Sequence, residues 1–345
     1  MSAATPAARR APPPARPSGD LAAATVERPA LPPAVQQVWR GETYHDQPVV
    51  KASSFDWKVS AYVVTLGVAG SAQIIAALAR RTPEGRGLAR RARFLALAGA
   101  TLGPLVLVQH LKTLRRWYNM LRIVRPTSPM SLGSWLLTGF GALSGLTALG
   151  EVLGRRWPSA RRVADAAQAP AAAAGAGVSV YTAALLSSTS TPLWAAAPGP
   201  LAAQFGTSSM AGAASALALL QRAAGEERSA RRLETLAALA IGAELLASRA
   251  AEARWRSAGV AAPIETGGAA PLHKGGAKAL GMVMPLLAHG LGRALGGKAG
   301  AVLPELASFA VLAGGAAMRH SVLLAGNESA LRPRDAFGVA QEARR

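Results

Sequence analysis

Long apolar stretches separated by short polar segments dominate the chain from about residue 57 onward. A run of about 20 apolar residues is enough to cross the hydrocarbon of a bilayer as one helix. The pattern predicts an all-α fold, a polytopic membrane protein with about eight transmembrane helices packed as helix bundles. The predicted spans are residues 57–79, 94–114, 132–153, 170–190, 200–220, 233–250, 277–295 and 299–324.

A water-soluble, Ala-rich helical bundle is the alternative to this interpretation. A helix on the surface of a soluble protein has one apolar stripe and one polar face. The segment "FLALAGATLGPLVLVQ" (residues 94–109) is instead apolar on every side. Glycine and other small residues recur within these segments, as they do where helices pack against each other in lipid. The pattern therefore favours membrane spans.

The two ends of the chain differ in composition from the middle. Residues 1–40 are rich in Ala, Pro and Arg and predict a disordered tail, because such a segment cannot bury a core. Residues 41–326 form the predicted transmembrane domain, and residues 327–345 a short polar C-terminal tail. Arg9 and Arg10 resemble a twin-arginine pair, but no apolar h-region follows, so we do not expect a cleaved signal peptide.

The charges cluster at the ends of the predicted spans. The chain has 38 Lys and Arg against 18 Asp and Glu, a formal net charge of +20. The basic clusters lack interleaved aromatic residues, so we expect no nucleic-acid partner. The loops that follow the odd-numbered spans carry more Lys and Arg than the other loops. The positive-inside rule then predicts that both termini lie on the outer face of the membrane.

The sequence contains no cysteine and only five histidines. Cys-ligated iron–sulfur clusters and Cys zinc sites are therefore excluded. Only His110 and His289 fall at predicted membrane depth, too few for a dihaem centre. We expect no metal site and no haem in this chain, so any redox group would be a quinone, a flavin or a cofactor of a partner.

A few polar side chains fall inside the predicted spans. Tyr62 and Gln73 share one face of the first span, and Tyr181 lies in the fourth. Glu244 lies mid-span, where a carboxyl group is costly unless paired, protonated or hydrated. A proton-transfer role and a neutral, hydrogen-bonded structural role both remain open for it. Glu151, at the end of the third span, is a second candidate for proton transfer, although an interfacial position explains it more simply.

The linker "LRIVRPTSPMSLGSW" (residues 121–135) separates the second and third spans. Its prolines fix the backbone, and Ser131 is placed to cap the third helix. Its arginines could bind a partner's carboxylates in bidentate fashion or anchor at lipid headgroups. The candidate docking residues are Arg122, Arg125, Pro126, Ser128, Pro129 and Ser131.

Four motifs, in order along the chain, resemble the membrane subunits of the polysulfide reductase, or NrfD, family. They are "YHDQPVVKASSFDWKVSAYVVTLGVAGS", "RWYNMLRIVRPTSPMSLGSWLLTGFG", "YTAALLSSTSTPLW" and "GGAAMRHSVLLAGNESA". The resemblance implies an eight-helix, multi-pass subunit of the bacterial cytoplasmic (inner) membrane. It also implies electron exchange between a quinone, menaquinone or ubiquinone, and an iron–sulfur ferredoxin-like subunit that works with a catalytic or cytochrome subunit.

The resemblance also suggests where the quinone would bind. Tyr62 and Tyr181 match the polar side chains of the family's quinone pocket best, with Gln73 and His45 as further candidates. Some family members carry a histidine at the place of Tyr62. Two other functions remain open: a structural anchor that no longer binds quinone, and a small transporter, because intramembrane charges also mark transport paths.

Overall fold

The computed structural model describes residues 50–110, 114–295 and 297–336, and these residues contain helices and no strand. A 3₁₀-helix, Leu114–Leu121, follows α2, and a π-helix, Leu272–Val283, follows α8. The α-helices are α1 Trp57–Ala79, α2 Arg86–His110, α3 Pro129–Leu153, α4 Pro158–Ser187, α5 Pro192–Ala195, α6 Pro198–Ala223, α7 Glu227–Ser257, α8 Ala262–Glu265, α9 Met284–Leu295 and α10 Gly297–Ala330.

Five of these helices are long and apolar enough to cross a membrane. They are α1, α2, α3, α4 and the Gly300–Ala330 part of α10. The prediction of a helical, multi-pass membrane protein is therefore confirmed, and the bounds of α1 agree with the predicted span. The predicted fifth, sixth and seventh spans correspond to α6, α7 and the π-helix with α9. Because these segments are not among the five, the count of eight stays a prediction.

Successive long helices run in opposite directions, which gives the bundle two ends. The proximal face is the end where α1 begins. There Ser53 Oγ donates to Asn327 Oδ1 at 2.6 Å, and His110 Nδ1 lies 3.2 Å from Asp56 Oδ1. The distal face is the end where α1 finishes, and there Arg80 lies 3.1 Å from Asp165.

The short helix α5 packs into the proximal end of the bundle. Trp194 is buried, and its indole Nε1 donates a 2.9 Å hydrogen bond to the carbonyl of Val322 in α10. Trp255, at the end of α7, donates in the same way to the carbonyl of Leu193 at 2.8 Å. Both buried indole N–H groups thus find backbone carbonyl partners, as buried tryptophans usually do. The "TPLW" segment therefore ties α5 to both α7 and α10.

Close helix contacts depend on glycine at two crossings. Gly70 of α1 meets Gly175 of α4, and Gly281 of the π-helix meets Gly314 of α10. A Cβ on any of these glycines would overlap the facing backbone. Small residues at such crossings let helices approach closely, which is how helices gain packing energy in lipid.

The third helix begins one turn earlier than predicted and has a different cap. The N-cap is Ser128, whose side chain accepts a hydrogen bond from the backbone N–H of Ser131, and Pro129 begins the helix. The prediction that Ser131 caps α3 was therefore wrong. Proline is well suited to the first helical position because it has no N–H to leave unpaired. This proline sets the cap one turn before Ser131.

Candidate functional site

Tyr62 and Tyr181, predicted from distant parts of the sequence, lie near each other at the proximal end. Tyr62 of α1 is buried beside Gly103 of α2, and the part of α4 that carries Tyr181 packs on α1, where Ser179 Oγ donates to the carbonyl of Gly67 at 3.3 Å. The hydroxyl of Tyr181 donates a 2.7 Å hydrogen bond to the carbonyl of Pro129. The ring of Tyr181 packs against Gly133, where any larger side chain would overlap it. Two helices therefore each bring one phenol to the proximal half of the bundle, and that of Tyr181 lies against the start of α3.

The linker between α2 and α3 lies directly above this pair of tyrosines. The hydroxyl of Ser131 accepts from the backbone N–H of Arg125 at 3.0 Å and donates to the carbonyl of Ile123 at 2.9 Å. These bonds fold the linker back on the first turn of α3. The predicted docking residues Arg122, Arg125 and Pro126 are exposed, so the segment presents a basic, hydrogen-bonded surface.

Gln73 does not join the two tyrosines. It is buried three turns further along α1 and is fully engaged with neighbouring helices. Its Nε2 donates to Ser144 and Thr147 of α3 at 3.1 and 3.0 Å, and its Oε1 accepts from Gln168 of α4 at 2.8 Å. These contacts connect three helices, so the surroundings of Gln73 are those of a residue that holds helices together.

Glu151 belongs to an ionic network near the distal face. Its carboxylate accepts from the guanidinium of Arg93, which is buried. Arg93 also donates to Gln168 Oε1 at 2.6 Å and lies 3.3 Å from Asp165. A buried arginine needs such partners. The need to neutralise Arg93 explains the position of Glu151 without assigning it a role in proton transfer.

A second polar cluster occupies the middle of the bundle, between α6, α7 and α10. The buried guanidinium of Arg319 donates to Ser208 Oγ at 3.1 Å, to Ser209 Oγ at 2.7 Å and to the carbonyl of Phe205 at 3.1 Å. Glu244 is also buried and interacts electrostatically with Arg319. The carboxyl group that the sequence placed mid-span therefore has a cationic neighbour, which lowers the cost of its position.

The buried face of α7 carries two further carboxylates. Glu234 lies towards the distal face, 2.5 Å from Arg222, and Glu252 lies towards the proximal face. Together with Glu244 they form a row of three buried acids, of which Glu234 and Glu252 are ion-paired with Arg222 and Lys278. Sequence reasoning found only Glu244, because Glu234 lies at the edge of the predicted span 233–250, Glu252 lies just beyond it, and the burial of both depends on neighbouring helices.

The π-helix brings two basic side chains to Glu252. His273 Nε2 lies 3.0 Å from Glu252 Oε1, and Lys278 is also paired with that oxygen. In an α-helix, with 3.6 residues per turn, residues five apart point in different directions. The i→i+5 hydrogen bonds of a π-helix bring them nearly into line. The site borders a cavity of about 350 Å³, and no sequence pattern pointed to it.

The histidines expected at membrane depth, and His45, lie in different parts of the chain. His45 lies outside the described residues. His110 is at the end of α2 beside Asp56, whereas His289 lies in α9. No group of three metal-ligating side chains occurs in residues 50–110, 114–295 and 297–336. The two histidines expected at membrane depth are thus on helices that the bundle keeps apart.

Comparison with known families matches residues 42–329 to the family described as "Polysulphide reductase, NrfD". The chain belongs to the NrfD family. No curated protein matches the chain. NrfD-family membership implies a membrane subunit of an oxidoreductase complex, and members of this family typically partner with other subunits of such a complex. The family suspected from the four sequence motifs is confirmed.

Proposed function

We propose that this NrfD-family subunit exchanges electrons between the quinone pool and a partner iron–sulfur subunit, with the quinone head group between Tyr62 and Tyr181. The observation that carries the proposal is the 2.7 Å hydrogen bond from Tyr181 to the carbonyl of Pro129. It connects a tyrosine pair suited to binding quinone with the basic linker suited to docking a partner.

The donors at this place fit a quinone. The Tyr62 hydroxyl can donate a hydrogen bond to a quinone carbonyl oxygen, and the Tyr181 hydroxyl can do so by exchanging its Pro129 partner for the quinone. A quinone that takes up two electrons also takes up two protons. Leu105, Leu132 and Trp135, on the adjacent surfaces of α2 and α3, are exposed. In a bilayer such a surface suits an isoprenoid tail. The residues of this chain thus hold and orient the head group, and the tyrosines can pass protons to it.

The linker is the proposed docking site for the iron–sulfur subunit. Arg122 and Arg125 are exposed beside the tyrosines, and arginine is enriched at protein interfaces because its planar fork binds carboxylates in bidentate fashion. Ser128, Pro129 and Ser131 hold the linker in a fixed shape. A partner bound here would place its cluster close to the quinone.

Glu244 is the proposed proton carrier for this reaction. Ser209, a partner of Arg319, packs against Gly67 of α1, and Gly67 is five residues from Tyr62. Five residues of helix span about 7.5 Å, so the Glu244–Arg319 cluster lies within a short distance of the tyrosines along α1. Glu151 remains a less suitable carrier because its carboxylate neutralises Arg93.

The test is quinol-dependent electron transfer in the purified complex. We expect Tyr62→Phe and Tyr181→Phe each to lower the rate by about tenfold or more, because each removes one proton donor. Tyr118→Phe is the matched control, since Tyr118 is 52% exposed and lies in the linker region. A structural anchor that binds no quinone predicts unchanged rates in all three variants, and that result would refute the proposal.

A further inference from the structure

A cavity of about 510 Å³ opens at the distal face, between the α6–α7 and α9–α10 hairpins. It is remote from the tyrosine pair, and the proposed electron transfer makes no use of it. Charged side chains line one side, and small residues and backbone line the other. The lining residues are Arg222, Glu227, Arg231, Glu234, Gly292, Arg293, Gly297, Gly300, Ala301 and Pro304.

The residues that line this cavity carry more positive than negative charge. Arg222 is already neutralised, since its guanidinium lies 2.5 Å from Glu234 and 3.2 Å from Glu227. Among the described residues, Arg231 and Arg293 form no ion pair within 4.0 Å. Arg293 is nevertheless held in place, because its Nη2 donates to Thr235 Oγ1 at 2.7 Å. Two guanidinium groups are therefore available to an anion.

The opposite wall reinforces this positive potential. Gly297, Gly300 and Ala301 belong to the first turn and a half of α10, a 34-residue helix with no acidic residue in its first turn. The N-terminus of a helix carries a partial positive charge and unpaired N–H groups, which attract anions. Because glycines form the wall, an anion can approach the backbone closely.

The surface that continues from this cavity towards the membrane interior is apolar. Leu239 of α7 lies one turn beyond Thr235 and is 68% exposed. Leu287 of α9, on the inner side of Arg293, is 60% exposed, and Leu306 of α10 is 54% exposed. A phospholipid has the same arrangement, an anionic phosphate at the interface with acyl chains below it. A free phosphate would use only the charged half.

We propose that this cavity binds an anionic phospholipid, whose phosphate pairs with Arg231 and Arg293. Its acyl chains lie along the exposed leucines of α7, α9 and α10. The bound lipid joins the two hairpins at the distal face. Basic pockets between transmembrane helices bind acidic lipid headgroups in this way. The assignment is independent of the quinone site, so either can fail alone.

The experiment is lipid titration of the purified full-length chain, followed by native mass spectrometry. The probes are dioleoylphosphatidylglycerol, dioleoylphosphatidylcholine and inorganic phosphate. We expect phosphatidylglycerol to bind more tightly than phosphatidylcholine. Arg231→Gln/Arg293→Gln should weaken phosphatidylglycerol binding by about tenfold or more, because each basic side chain contributes on the order of 1 kcal/mol to binding an acidic lipid surface.

Arg155→Gln/Arg156→Gln is the control, since both arginines are exposed on the α3–α4 turn of the same face and lie outside the cavity. Equal weakening in the two double variants, or equal binding of both lipids, overturns the proposal. Inorganic phosphate that displaces phosphatidylglycerol at equal concentration would assign the cavity to soluble phosphate instead. If the cavity variant does not fold, Arg231→Gln alone gives the same comparison, because Arg231 is exposed.

Discussion

Gly133 and Tyr181 pack so closely that a single methyl group on Gly133 would overlap the phenol. The contact joins the first turn of α3 to α4 and fixes the tyrosine below the basic linker. It also fixes the hydroxyl of Tyr181 on the carbonyl of Pro129. The position of one proposed quinone ligand thus depends on a residue that has no chemistry of its own.

Gly133→Ala should displace Tyr181 and break its hydrogen bond with Pro129. We expect quinol-dependent electron transfer to fall by about tenfold, since small displacements of positioned groups are costly to catalysis. Gly139→Ala is a matched control on the same helix, because a Cβ there meets no atom within 4 Å. Equal rates in the two variants would contradict the role of Tyr181. Co-purification of the partner subunit checks that the complex remains assembled.

Arg319→Gln should destabilise the protein by removing the cation beside Glu244. The expected loss is about 3 kcal/mol, the scale for losing a hydrogen bond of a buried charged group, because Arg319 donates to Ser208, Ser209 and the carbonyl of Phe205. Adding Glu244→Gln should recover part of this loss, because the carboxylate no longer lacks a partner. Thermal unfolding in detergent measures both changes. Arg334→Gln is the control, because Arg334 is exposed. If the double variant Arg319→Gln/Glu244→Gln is less stable than Arg319→Gln alone, the proposed interaction between Arg319 and Glu244 is contradicted.

The start of α1 should become less stable in acid. Burial raises the pKa of Asp56, but hydrogen bonds from the backbone N–H groups of Lys58 and Val59, together with His110, outweigh it and hold the pKa below its ordinary value. A carboxyl group with a lowered pKa in the folded state stabilises the protein above its unfolded-state pKa. That contribution is lost as the pH falls through the lower, folded-state value.

The variant Asp56→Ala tests this contribution. It should cost about 1 kcal/mol at neutral pH, the usual value of an N-cap. The difference in unfolding temperature between the wild type and Asp56→Ala should narrow below about pH 4, near the ordinary pKa of aspartate. If the difference in unfolding temperature stays constant down to pH 3, the charge of the Asp56 carboxylate does not contribute to stability. Glu226→Ala is the control, because Glu226 is exposed at the N-cap of α7 and makes no side-chain capping hydrogen bond.

The isolated subunit should contain no haem. His110 lies at the proximal end of α2, and His289 belongs to α9, so these two histidines are not placed to ligate one iron. Absorbance spectra of the purified chain, oxidised and reduced with dithionite, should show no Soret band. A Soret band that changes on reduction would contradict the proposal that electrons enter through a partner's cluster.

Sequence and structure agree most closely for α1. The predicted span 57–79 and the observed helix Trp57–Ala79 coincide. An apolar segment in lipid must pair its own backbone groups and can do so only as a helix, whatever its neighbours are. The four motifs, which include parts of α1, α3, α4 and α10, indicated the family without the tertiary structure, since each is local in sequence.

The partners of the polar side chains were decided only in three dimensions. Tyr62 and Gln73 share a face in the sequence, yet one lies beside Tyr181 and the other hydrogen-bonds to α3 and α4. The buried acids of α7 and the π-helix that brings His273 and Lys278 to Glu252 depend on which helices become neighbours. Hydrophobicity determined which segments become helices, because it acts on each segment alone. Packing between distant segments determined which polar groups meet.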